Sequence, residues 1–140
     1  MPNILIAAHG DLSTALIRSA RLIVGATDGV RSFEMTAGLH HADAEQQLTE
    51  LVDVGRAQQE RLLVLVDIQG GSPFNICSRL LIEHRDFDLV TGVNLPMLLE
   101  ALTALTQPAG ASLAATGAAA ITDVSTLLHD TTYETENLDD

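Results

Sequence analysis

One segment constrains this chain more than any other. Leu62-Leu63-Val64-Leu65-Val66 is unbroken apolar sequence, stops at Asp67, and is followed by the turn residues Gly70-Gly71-Ser72-Pro73. A strand with one face in water alternates apolar and polar residues. A short run with no alternation needs both faces covered, as in the interior of a parallel sheet flanked by helices. Ile4-Leu5-Ile6-Ala7-Ala8 repeats the pattern near the start and ends at His9-Gly10.

Helical and extended patterns alternate between and after these two runs. Leu12, Ala15, Leu16, Ser19 and Ile23 recur at helical spacing, with Gly25 where a helix would stop. A weaker strand is expected over 30–36. A helix is expected over 41–59, with Leu48, Leu51, Val52 and Gly55 on one face and Asp43 and Glu45 near its start, where negative charge suits the helix dipole. Further expectations are a helix over 74–83, a fourth strand over 87–93, a helix from Pro96 to about Leu105, and a last helix over 112–128 in which Gly117 is a weak point. Thr131 to Glu136 has strand-like composition without an apolar face, which suits an edge strand or a frayed tail. No repeat or linker divides the chain.

Strand–helix alternation implies an α/β domain with a mostly parallel sheet. The expected architecture is flavodoxin-like and doubly wound, with strand order 2-1-3-4. Ligands of such sheets sit at the carboxyl ends of the strands on either side of the topological switch point. The switch lies between the first and third strands. Ala8-His9-Gly10 should therefore meet the segment from Asp67 to Ser72 there.

His9 and Asp67 hold matching positions at those strand ends. A carboxylate accepting from Nδ1–H fixes the imidazole tautomer and leaves the Nε2 lone pair free to attack an electrophile. A lone histidine at a strand end is more often structural; its pairing with an aspartate across the switch point favours the nucleophile. Pro73 suits the first helical position and Ser72 the N-cap. Gly70 and Gly71 permit a tight path with outward-facing amides, and such a turn at a helix N-terminus is an anion site. A phosphoryl group on Nε2 satisfies both features. The plain alternative, an ordinary capped turn, accounts for Ser72-Pro73 but for neither the double glycine nor Asp67.

The remaining candidates point elsewhere. His40-His41 reads as a solvated loop rather than a metal site, His84 and His129 sit near expected helix C-termini, and Cys77 reads as a small core residue. The chain holds no Walker, GxGxxG, GxSxG or CxxC motif.

Charge narrows the partners. The 140 residues carry 7 bases, all arginine, against 19 acids, a net charge of −12. Residues 86–140 contain no base at all. Phosphate binding needs a basic face, so nucleic acid is excluded as a partner, and an anionic membrane surface would repel the chain. A basic or neutral protein partner is favoured, mainly through a faster encounter that slows as salt rises. The single cysteine, the absence of a basic leader at Met1-Pro2-Asn3-Ile4 and the lack of a long apolar run lead to an expected cytoplasmic location.

The chain resembles the IIA domain of the mannose family (mannose, fructose, sorbose) of the bacterial phosphoenolpyruvate-dependent sugar phosphotransferase system. The resemblance rests on Ile6-Ala7-Ala8-His9-Gly10, on Leu65 to Asn75 with its Asp-Ile-Gln-Gly-Gly-Ser-Pro-Phe-Asn core, and on Val90-Thr91-Gly92-Val93-Asn94-Leu95-Pro96-Met97-Leu98. It covers about residues 3–105 and departs from the familiar pattern at Ile68-Gln69, where a small residue and tryptophan are usual.

The resemblance implies a cytoplasmic phosphotransferase relaying a phosphoryl group through a phosphohistidine. His9 receives the group from the histidine phosphocarrier protein and passes it to a separate IIB component, beside membrane IIC and IID components. Asp67 partners His9, and Gly70, Gly71 and Ser72 hold the phosphoryl oxygens. It also implies a homodimer in which a C-terminal strand, here Thr131 to Glu136, is exchanged. On this reading residues 1–130 form one IIA domain and residues 131–140 an acidic strand or tail. No metal and no cofactor are expected, because imidazole is already a competent nucleophile at neutral pH. Two rivals stand beside it: a regulatory IIA-like subunit of the kind serving dihydroxyacetone kinase, and a flavodoxin-like module that binds a small ligand without chemistry.

Overall fold

In a computed structural model the chain is described over residues 1–83 and 85–130. The elements are β1 (Ile4–His9), α1 (Leu12–Val24), β2 (Val30–Met35), α2 (His41–Arg56), β3 (Leu63–Val66), α3 (Ser72–Ile82), β4 (Asp88–Val90), α4 (Leu95–Thr103), α5 (Gly110–Ala119) and α6 (Val124–Leu128). The strands form a parallel sheet in the expected order, β2-β1-β3-β4. None of the described helices is long and apolar enough to cross a membrane.

The two apolar runs are buried on both faces, as their lack of alternation requires. Leu5, Ala7, Val64 and Val66 pack with Leu48, Val52, Ile76 and Leu80 under α2 and α3. Ile4, Ile6, Leu63 and Leu65 pack with Ile17, Met97, Leu98 and Leu113 under α1, α4 and α5. Each buried Val, Leu, Ile or Met among them contributes roughly 1.5–3 kcal/mol, so the two central strands form a stiff platform whose carboxyl ends carry His9 and Asp67. Cys77 is fully buried in this core, and burial pushes its thiol pKa up to about 12.

Several local expectations need correction. The inward face of α1 is Ser13, Ile17 and Ala20, one residue round from the expected stripe, while Leu12 and Ile23 are exposed. Buried Ser13 fits because its hydroxyl donates to the Phe33 carbonyl at 3.0 Å. The α2 helix ends at Arg56, three residues short of Gln59. The fourth strand spans only Asp88–Val90, because Gly92 turns the chain at φ +75. Ser72 is not the N-cap of α3: Gly71 caps it, and Ser72 is the first helical residue.

The single helix expected over 112–128 is two helices. Asp123 accepts from the Thr126 amide at 3.2 Å and its hydroxyl at 2.6 Å, which starts α6 anew. Gly117 is no weak point but a packing site, since a Cβ there would lie 2.8 Å from Met97 Cε. His41 is the first residue of α2 rather than part of a loop, while His40 stays exposed and extended just before the helix, with no side-chain cap hydrogen bond. His129 caps the C-terminus of α6. His84 and the expected strand from Thr131 to Glu136 lie outside the described residues.

Candidate functional site

The site begins where β1 and β3 run out. The ladder pairs Ala7 with Val66, so the next residues of both strands emerge at the same edge. There the Asp67 side chain takes over from the ladder: Oδ2 accepts from the His9 backbone N–H at 2.9 Å and from Nδ1 of the ring at 2.8 Å, and Oδ1 accepts from the Ile68 amide at 2.9 Å. One carboxylate therefore fixes both the backbone and the ring of His9.

The charge on Asp67 bears on which ring nitrogen donates. Burial works to raise the Asp67 pKa, but the hydrogen bonds from the His9 backbone and ring and from Ile68 outweigh it. The net result holds the carboxyl below its ordinary value. An ionised carboxylate only accepts, so Nδ1 is the donor, and in the neutral imidazole Nε2 then keeps its lone pair. The Asp67 side chain is 13% exposed while that of His9 is 48% exposed. The acid is sheltered and the imidazole faces out.

The glycine turn supplies the other wall. The ring of His9 lies against Gly71 so closely that a Cβ there would sit 2.6 Å from Cε1 and 3.3 Å from Nε2. Gly70 holds φ +88, a conformation that glycine adopts without strain. Gly71 is extended, and its carbonyl accepts from the Asn75 amide at 2.9 Å to open α3. The first amides of a helix have no intrahelical acceptor, so the Ser72 end of α3 offers N–H groups beside Nε2. Pro73 follows with none to give.

His9, Asp67, Gly70, Gly71 and Ser72 thus come together as the sequence suggested. Ser72 contributes through the first turn of α3 rather than through a side-chain cap. Residues outside the expected set also shape the site. Asn75 Nδ2 donates to the Gly70 carbonyl at 3.3 Å and braces the turn. Gly92 N–H donates to the Asp67 carbonyl at 3.2 Å, and Gly10 N–H to the Met35 carbonyl at 2.9 Å. The signal for Asn75 was its place at the end of the Gly-Gly-Ser-Pro-Phe-Asn motif; for Gly10 and Gly92 it was a glycine just past a strand.

Over most of its length the chain is similar to known proteins. Residues 3–117 match the EIIA-man family, described as "PTS system fructose IIA component". The fructose-specific EIIA component of Bacillus subtilis (strain 168) is 32% identical over 104 residues, covering 74% of this chain and 70% of the relative. The mannose-specific EIIAB component of Escherichia coli (strain K12) is 32% identical over 107 residues, or 72% of this chain; the match spans only 31% of that longer protein. Among solved structures, the IIA protein associated with the fucose utilization operon of Streptococcus pneumoniae superimposes with a TM-score of 0.81 at 28% identity. It covers 90% of this chain and 95% of the other. With the family match running from the first strand into α5, the chain belongs to the EIIA-man family, the mannose-family IIA components of the sugar phosphotransferase system.

Proposed function

We propose that His9 is the phosphoryl carrier of this IIA component. It accepts the group from the phosphohistidine of the histidine phosphocarrier protein and hands it to a IIB component that serves membrane IIC and IID partners in the cytoplasm. The observation that carries this reading is the 2.8 Å contact of His9 Nδ1 with Asp67, which leaves Nε2 as the attacking atom.

Transfer is an in-line displacement at phosphorus. The Nε2 lone pair forms the new N–P bond as the donor N–P bond breaks, and the donor ring keeps that electron pair. Such transfer asks a protein for alignment and charge stabilisation rather than covalent chemistry. Asp67 orients the ring and balances the positive charge that grows on it. The Gly71 and Ser72 amides receive the equatorial oxygens. Once the phosphoryl group arrives with its own negative charge, Asp67 opposes it, which keeps the group transferable. Among the described residues no group of three or more His, Cys, Asp or Glu side chains is placed to hold a metal ion.

The same reading assigns residues 1–130 to the phosphotransfer domain and residues 131–140 to an acidic strand or tail, with Thr131 to Glu136 as the strand exchanged in a homodimer. Supporting this is β4, an edge strand beside a cleft lined by Leu89, Val90, Thr91, Gly110 and Ala114, open to an added strand.

The test is a long-range ¹H–¹⁵N spectrum of the protein phosphorylated through the carrier. The expected product has phosphorus on Nε2 of His9 and a proton on Nδ1. Phosphorus on Nδ1, or on any other residue, would overturn the assignment.

A further inference from the structure

We propose that a cleft at the pole opposite His9 binds a small monocarboxylate with an apolar body, with Arg31 as its anchor. Of the arginines, Arg56, Arg61, Arg79 and Arg85 each pair with an acid, and Arg18 and Arg21 are exposed. Arg31 is different. It is only partly exposed, and no carboxylate lies within ion-pair distance of it among the described residues. Its hydrogen bond goes to a neutral acceptor, Asn3 Oδ1. Burial of the guanidinium pulls its pKa below the ordinary arginine value, a cost that an anionic ligand would relieve.

The surroundings are those of a binding site. Arg31 opens onto a cleft of about 530 Å³, within the usual range for small-molecule sites. Met1, Pro2 and Val54 give it an apolar wall, and Gln59 adds an amide. Glu60 lines the same cleft and selects against a second negative charge, so the fitting ligand is a monoanion. The base of the cleft is fixed: buried Asn3 donates to the Gly55 and Glu60 carbonyls, each at 2.8 Å. Arg31 forms a bidentate pair with a carboxylate more readily than lysine would. Asn3 directly precedes β1 and His9 ends it, so the two sites stand about 20 Å apart. The cleft therefore does not belong to the phosphoryl site.

The probe is benzoate, with benzamide as its neutral isostere, titrated at constant ionic strength while amide and Arg31 Nε–H shifts are followed by NMR. Benzoate should give saturable shifts at Arg31, Gln59 and Glu60, and benzamide none. Arg31→Gln keeps a donor toward Asn3 but removes the charge, and should weaken benzoate binding at least tenfold; Arg31→Lys should retain part of it. Val54→Trp fills the cleft from its exposed wall and should abolish binding with Arg31 intact. That second variant decides the matter if Arg31→Gln proves unfolded by its thermal melt. Equal response to benzamide, shifts centred on the 70–72 turn, or undiminished binding in Val54→Trp would overturn the site.

Discussion

At the residue scale, the proposed relay rests on two contacts of His9, and each has its own test. Asp67→Ala removes the acceptor of His9 Nδ1–H at the surface, where the chain still folds through its buried strands. Hydrogen bonds to charged groups contribute about 1.5–3 kcal/mol, and the exposure of His9 points to the lower part of that range. Phosphoryl transfer should slow roughly tenfold to a hundredfold by quench-flow assay, with an unchanged circular dichroism spectrum; an unfolded variant would make Asp67 structural instead. Gly71→Ala is backbone-neutral, because φ −80 and ψ 170 suit alanine. Its methyl would enter the space of the imidazole, and a misplacement of about 1 Å can cost roughly a hundredfold in rate. A matching loss with a preserved melting temperature is expected. The pH dependence follows from the lowered Asp67 pKa. Its folded value lies below its unfolded value, so its stabilisation is fully present above the unfolded pKa of about 3.9 and lost as pH falls through the folded pKa. Acid titration of unfolding should show a loss below about pH 4 that Asp67→Asn does not share. His9 and Asp67 were legible because strand ends at a switch point are few and a carboxylate has one plain use beside an imidazole. The closeness of Gly71 to the ring was not, since only coordinates reveal that a missing Cβ makes room for a particular atom.

At the element scale, the strands read well and the helices after β4 did not. Two runs without alternation specify two buried strands, whatever the rest of the chain does. The segment after Leu105 is rich in alanine, and every register of such a sequence is helical and apolar, so the break at Ala120–Asp123 turned on one side-chain cap. Similarly, Ser72-Pro73 fits a capping pattern, but α3 starts one residue earlier, with Gly71 at the N-cap and Ser72 as the first helical residue. In α1 the expected face was displaced because Ser13, polar by composition, is satisfied by the Phe33 carbonyl and goes inward. Asn94 shows how the last helices are joined. Its Oδ1 accepts from the Met97 amide at 3.0 Å, capping α4, and its Nδ2 donates to the Gly117 carbonyl of α5 at 3.2 Å. Asn94→Ala should cost about 1–2 kcal/mol, lowering the calorimetric midpoint by roughly 3–8 °C while leaving His9 chemistry intact.

At the scale of the whole molecule, sheet order and switch point were both legible, because right-handed crossovers leave few ways to lay alternating strands and helices. Quaternary structure belongs to the same scale. Removing residues after Asp130 should shift a dimer toward monomer in sedimentation velocity, and an unchanged dimer would exclude the exchanged strand. The charge of −12 makes a further prediction. Steering of a basic carrier is screened over about 10 Å at 0.1 M salt, so the bimolecular transfer rate should fall as salt rises. The central claim is that one side chain, His9, carries the phosphoryl group. Intact mass after incubation with phosphoenolpyruvate, the first enzyme of the system and the phosphocarrier tests it most directly. The wild-type chain should gain one acid-labile phosphoryl group and His9→Ala none; an unmodified wild-type chain beside a phosphorylated carrier, or a modified His9→Ala, would contradict it.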